Sequence, residues 1–137
     1  MTPLYTANAT ATNGREGRVR SDDGSLDHAL ATPKGLGGPG GAGTNPEQLF
    51  AAGYSACFGS ALAHVARMQK VQTGPVEITA NVTIGKSDTG FGLTVELKGR
   101  MPELPREKAE ALMHAAHQVC PYSNATRGNI PVTLSVV

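Results

Sequence analysis

Tryptophan is absent from this 137-residue chain, phenylalanine and tyrosine occur three times each, and cysteine occurs twice. So few aromatics, with no basic run interleaved among them, argue against a base-stacking surface. Charge of either sign is not in excess: twelve Lys and Arg face eleven Asp and Glu, which leaves no electrostatic footprint for nucleic acid. No stretch approaches the roughly 18 continuous apolar residues of a membrane span. The opening MTPLYTANATATNGREGRVR also lacks the apolar core of a signal peptide. The expectation is a cytoplasmic chain with no membrane segment, folded as a single domain over residues 1–137. In a reducing compartment two cysteines are not expected to form a static staple.

What is abundant is glycine, much of it in PKGLGGPGGAG, Pro33 to Gly43. The segment holds neither helical nor strand periodicity and reads as a loop. No Gly-Lys-Ser/Thr follows it and no GxGxxG spacing fits, so nucleotide binding is excluded on motif grounds.

Leu4 to Thr12, Gly17 to Arg20 and Leu26 to Leu30 read as strands, separated by the turn residues Asn13-Gly14 and Asp22-Asp23-Gly24. A helix starts at Asn45-Pro46-Glu47, where a cap, a first-position proline and a first-turn carboxylate coincide. From Leu49 to about Met68 few polar residues interrupt it, so it reads as a mostly buried central helix. Val76, Ile78, Ala80, Val82 and Ile84, then Phe91, Leu93, Val95 and Leu97, alternate as two half-buried antiparallel strands. Pro105 opens a second amphipathic helix that ends at Cys120-Pro121, and Ile130 to Val136 reads as a last strand. The order βββ-α-ββ-α-β predicts an α+β fold, antiparallel sheets around a buried central helix, and not a doubly wound sheet.

The two cysteines sit in different surroundings. Cys57 lies mid-helix among apolar residues, where a free cysteine either packs as a small hydrophobe or, if it does chemistry, requires a cation to hold its thiolate. Its own helix offers none close by, since His64 lies about two turns away and Arg67 nearly three. Arg15, Arg18 and Arg20 of the first hairpin are the candidates. Cys120 is placed in the last turn of its helix, where the negative pole disfavours a thiolate. His114, His117 and Cys120 recur at steps of three, but His114 and Cys120 then point about 120° apart, so no metal site is expected.

The segments TNPEQLFAAGYSACF, Thr44 to Phe58, and VCPYSNATRGN, Val119 to Asn129, resemble the two signature segments of the organic hydroperoxide resistance (Ohr) proteins of the Ohr/OsmC superfamily. The resemblance extends over essentially the whole chain, including the Gly-Arg-Glu-Gly turn and LDHALATPKGLGG. It implies an OsmC-like fold, an intertwined homodimer and a thiol peroxidase. Cys57 would be the peroxidatic cysteine and Cys120 the resolving one, with a Cys57–Cys120 disulfide as the oxidised product. Arg15 and Glu47 would hold the reactive thiolate. The reductant would be dihydrolipoamide or a lipoylated protein, the substrates small organic or lipid hydroperoxides, and no cofactor or metal would be bound.

Glu47 and Cys57 are ten residues apart, about 15 Å along one straight helix, too far to share one arginine closely. Either the helix breaks near Gly53 or the glutamate belongs to a second subunit, with two copies of the helix crossing near residue 52 at Ala51-Ala52-Gly53. Leu49, Phe50, Phe58 and Met68 are the expected lining of an apolar substrate pocket, and Tyr122 and Ser123 stand where they can shape the loop after Cys120. Two other readings stay open: an OsmC-like protein that binds an apolar ligand or senses oxidation, and a non-catalytic structural disulfide.

Overall fold

Asn13 and Gly14 both adopt the left-handed conformation, with φ of 59° and 55°. They turn the chain between β1 (Ala9–Thr12) and β2 (Arg18–Ser21), which pair antiparallel with Thr12 opposite Arg18. A 3-10 turn at Gly14–Glu16 makes this connection longer than a two-residue hairpin. At the second turn Asp23 Oδ1 accepts hydrogen bonds from the Ser21 hydroxyl and the Ser25 N–H, and β3 (Asp27–Ala29) returns against β2.

The computed structural model describes all 137 residues, and its backbone divides into two compact units, Met1–Leu49 and Phe50–Val137. The β1-β2-β3 meander is the sheet of the first unit. Its first strand begins only at Ala9, not Leu4, because its partner β2 ends at Ser21, opposite Ala9, and turns away after the Asp22 N–H donates to the Asn8 carbonyl; Leu4 and Tyr5 beyond it are almost fully exposed. The Gly-rich segment is a loop containing one 3-10 turn, Lys34–Leu36, and is tied back by the Gly40 N–H donating to the Thr32 carbonyl.

The central helix, α1 (Pro46–Met68), starts where its cap signals place it: the Asn45 side-chain oxygen accepts the Gln48 N–H at 2.8 Å. It runs unbroken through Gly53. Tyr54, Phe58, Ala61, Leu62 and Val65 recur at steps of three and four and form its buried face. Ala52, Ala56 and Ala63 are exposed on the other side. The helix is thus less buried than its apolar sequence suggests. Its most apolar 18-residue window, with a mean hydropathy of 1.3 and enough length to cross a membrane, is only 33% buried.

In the second unit β4 (Glu77–Ser87) and β5 (Gly90–Arg100) form an antiparallel hairpin, and β6 (Val132–Val136) joins β5 in parallel. Period-two patterning is silent on direction; β6 is parallel because helical segments carry the chain back across the sheet between the two strands. These are α2 (Arg106–Val119) and a short α3 (Pro121–Thr126) that the sequence reading lacks. Pro121 opens α3 at its first position where a stop was expected. Phe58, Leu62, Val95, Leu97, Leu112 and Met113 build the core. Phe91, expected inward, is 71% exposed, because β6 reaches back only to Val95 and leaves the hairpin tip without a neighbour.

Candidate active site

Arg15 sits on the 3-10 turn after β1, and Glu47 occupies the first turn of α1. Their side chains meet as a two-pronged ion pair, Arg15 Nη1 donating to Glu47 Oε2 at 2.8 Å and Nη2 to Oε1 at 2.6 Å. This fork-to-fork contact fixes the plane of the guanidinium. The hydrogen bonds from Arg15 hold the Glu47 carboxyl below the usual carboxylate range against the opposing effect of burial. The same contact holds the proton more firmly on Arg15. Arg18 and Arg20 both face Asp27 instead, with Arg18 Nε at 2.6 Å from Oδ1 and Arg20 Nε at 3.7 Å from Oδ2.

Cys57, in the middle of α1, is half-buried and free; Cys120 is fully buried and free. Their sulfurs are 3.7 Å apart. Cys120 is not in the last turn of α2. It is the residue between α2 and α3, with extended backbone, φ −65° and ψ 125°. Burial pushes the Cys57 thiol up from its ordinary range, the Tyr122 backbone N–H beside the sulfur pulls it down, and Cys120 pushes it up further.

A cavity of about 530 Å³ opens beside Cys57, lined by Ser60, Ala61, His64 and Arg67 of α1 together with Val119 and Pro121. Leu49, Phe50, Phe58 and Met68 are not in this lining. Phe58 is fully buried in the core, one position and so about 100° of helix away from Cys57, while Met68 is 72% exposed. Phe50 packs edge-on against Tyr54 and Tyr122, with ring centroids 6.1 and 6.2 Å apart. The lining follows the i+3, i+4, i+7 and i+10 positions from Cys57, a spacing visible in the sequence.

Known proteins resemble this chain in both sequence and fold. The sequence profile of the OsmC-like proteins matches residues 38–135. The organic hydroperoxide resistance protein of Xanthomonas axonopodis pv. citri is 57% identical over 134 residues, covering 97% of this chain and 94% of that protein. The chain belongs to the OsmC-like family, within its Ohr proteins. OhrB of Bacillus subtilis is 50% identical over 135 residues, 97% of this chain and 98% of that one. The crystal structure of an organic hydroperoxide resistance protein from Elizabethkingia anophelis superposes with a TM-score of 0.93 at 55% identity, covering 99% of this chain and 98% of the other.

A hydrogen-bonded group of side chains links the helices that carry the two cysteines, and of its members the sequence reading reaches only Ser123, as a residue shaping the loop after Cys120. The Tyr54 hydroxyl is 2.9 Å from Ser123 Oγ and 3.1 Å from Thr126 Oγ1, and Ser123 Oγ is 2.8 Å from His117 Nδ1. Tyr54, Ser123 and Thr126 are buried. Burial is the main cause that lowers the His117 pKa, helped by Arg127 and His114.

Proposed function

We propose that this protein is a thiol peroxidase that reduces organic hydroperoxides to alcohols and acts as a homodimer in the cytoplasm. The observation that carries the reading is the pair of free thiols, Cys57 and Cys120, 3.7 Å apart beside an open cavity in an Ohr chain. The Cys57 thiolate attacks the distal oxygen of the hydroperoxide. The S–O bond forms, the O–O bond breaks, and the leaving alkoxide takes a proton and departs as the alcohol. Cys120, as thiolate, then attacks the sulfur of the Cys57 sulfenic acid; the S–S bond forms and hydroxide leaves, taking up the proton given up by Cys120, as water. Dihydrolipoamide, or a dihydrolipoyl group on a protein, restores both thiols while its own dithiol closes to a cyclic disulfide. No bound cofactor takes part.

Burial disfavours the thiolate that the first step needs, so a cation must offset it. Lowering a thiol pKa by about 3 units corresponds to roughly 4 kcal/mol of preference for the charged form. Arg15, held in plane by Glu47, is suited to that task. Because α1 is continuous, Glu47 lies about 15 Å along its axis from Cys57. A second copy of α1 packed antiparallel, crossing near residue 52, would bring the Arg15–Glu47 pair of one subunit to Cys57 of the other. The exposed Ala52 and Ala56 permit close approach, and such a dimer would cover an apolar helix that is only 33% buried in a single chain.

The test is a coupled assay with dihydrolipoamide and a panel of peroxides. Turnover with cumene and fatty-acyl hydroperoxides that exceeds turnover with hydrogen peroxide is expected; no turnover with any of them would overturn the reading. The cavity also fits a protein that binds an apolar ligand or senses oxidation. That second reading gains if Cys57→Ser leaves the slow peroxide consumption intact.

A further inference from the structure

Each of three buried or half-buried polar side chains lies three residues from a cysteine. Tyr54 precedes Cys57 on α1, His117 precedes Cys120 on α2, and Ser123 follows Cys120 on α3. All three meet at one atom. Ser123 Oγ is 2.9 Å from the Tyr54 hydroxyl and 2.8 Å from His117 Nδ1, so a single hydroxyl joins the helix that carries Cys57 to both helices that flank Cys120. Thr126 extends the chain, standing 3.1 Å from the Tyr54 hydroxyl and donating to the Ser123 carbonyl at 3.2 Å.

The backbone at this joint has no need of those side chains. The Cys120 N–H donates to the Ala116 carbonyl at 2.9 Å, and the Cys120 carbonyl accepts the Asn124 N–H at 2.9 Å. The hydroxyl chain is therefore not a cap for orphaned groups. Apolar packing could fill the same space without direction, whereas hydrogen bonds specify distance and angle. Ser123 is fully buried, which shields its hydroxyl from solvent.

We propose that Ser123 is a positioning residue for the thiol pair: held between Tyr54 and His117, its hydroxyl fixes the α2–α3 joint so that Cys120 stays within reach of Cys57. Its biological use rests on the thiol-peroxidase reading, but the geometry it asserts does not. Closing 3.7 Å to the roughly 2.05 Å of a disulfide asks for a movement that the Cys120 side chain makes only if the joint stays in place.

The test equilibrates the full-length protein with reduced and oxidised glutathione and reads the effective concentration of Cys120 at Cys57 by thiol alkylation and intact mass. Ser123→Ala should lower that effective concentration about tenfold, and Tyr54→Phe, which keeps the ring and its packing, about threefold. Measurements well below each variant's thermal transition separate positioning from loss of fold, since a merely structural role lowers the transition and leaves the effective concentration alone. If Ser123→Ala does not fold, Tyr54→Phe decides. A value within twofold of the parent chain in every folded variant overturns the proposal. The glutathione equilibrium uses no peroxide. A parent chain inactive toward cumene hydroperoxide would therefore overturn the peroxidase reading and leave the positioning role of Ser123 to stand or fall by its own equilibrium.

Discussion

The Tyr122 hydroxyl lies 2.8 Å from the point that a Cβ on Gly53 would occupy, and two ring carbons of Tyr122 lie 3.3 Å from it. Gly53 is thus not a break in α1. It is a notch that admits the ring of a residue whose backbone N–H faces Cys57.

Gly53→Ala raises helix propensity by roughly 1 kcal/mol and at the same time forces the Tyr122 ring outward. The two effects oppose each other in stability, so the thermal transition should move little while peroxidase kcat/KM falls several-fold. Adding Tyr122→Phe removes the atom at 2.8 Å and should recover most of that loss. Kinetics and melting curves of the single and double variants decide it; an unaffected Gly53→Ala would show that the notch has no bearing on Cys57.

Arg15→Ala should cost about 10²-fold in the oxidation rate of Cys57, in the range seen when one group that stabilises developing charge is removed. It should also move the pH profile of Cys57 alkylation upward, because burial and the neighbouring Cys120 hold the thiol above its ordinary range once the cation is gone. Glu47→Gln should give a smaller loss with the same direction of shift, since it loosens the guanidinium without removing it. Lowering the pH should mimic Glu47→Gln: a carboxyl depressed by Arg15 contributes its stabilisation above its ordinary value near 4.3, and loses it as pH falls toward the lower folded value. Stopped-flow oxidation across pH tests all three.

Cys57→Ser should abolish turnover with dihydrolipoamide. Cys120→Ser should instead permit one oxidation per subunit and leave a sulfenic acid that a carbon nucleophile traps. Intact mass after one equivalent of cumene hydroperoxide distinguishes these states. A Cys57–Cys120 bond present before any peroxide and resistant to dihydrolipoamide would point to a structural disulfide.

A charged side chain at the proposed crossing should separate the subunits. Ala56→Glu is expected to convert a dimer into a monomer by light scattering at micromolar concentration and to remove activity, because Arg15 of one chain would no longer reach Cys57 of the other. A stable, active monomer of the parent chain would defeat the composite-site proposal.

His117 gives stability a second pH dependence. Its pKa is depressed in the folded chain, so between the ordinary value near 6.5 and the lower folded value the unfolded chain binds more protons. Stability is therefore present above the ordinary value and is lost as pH falls through that window. The urea midpoint should drop between pH 7 and pH 5, and the drop should be shallower in His117→Gln.

Much of this arrangement is legible from residue order alone. Asn13-Gly14, Asp22-Asp23-Gly24 and Asn45-Pro46 mark turns and a cap because their backbone demands are local. The pairing of Arg15 with Glu47 comes from resemblance, since Arg18 and Arg20 are equally basic and only the sheet register sends them to Asp27. The cavity lining escapes a reading that takes apolar neighbours in sequence, because Cys57 shares a helix face with His64 and Arg67 and not with Phe58. The α3 helix escapes because Cys120-Pro121 serves as an end and a beginning at once. The parallel β6 escapes because alternation carries no sign of direction.

The position of Cys120 has a mechanical consequence. It is tied by its N–H to the helix behind it and by its carbonyl to the helix ahead, so only its side chain is left free to swing. The sulfur can travel to its partner and back without melting a turn on either side. Oxidised and reduced chains should then be almost alike in far-UV circular dichroism and in amide exchange around residues 116–124, and repeated cycling should leave the fold unworn.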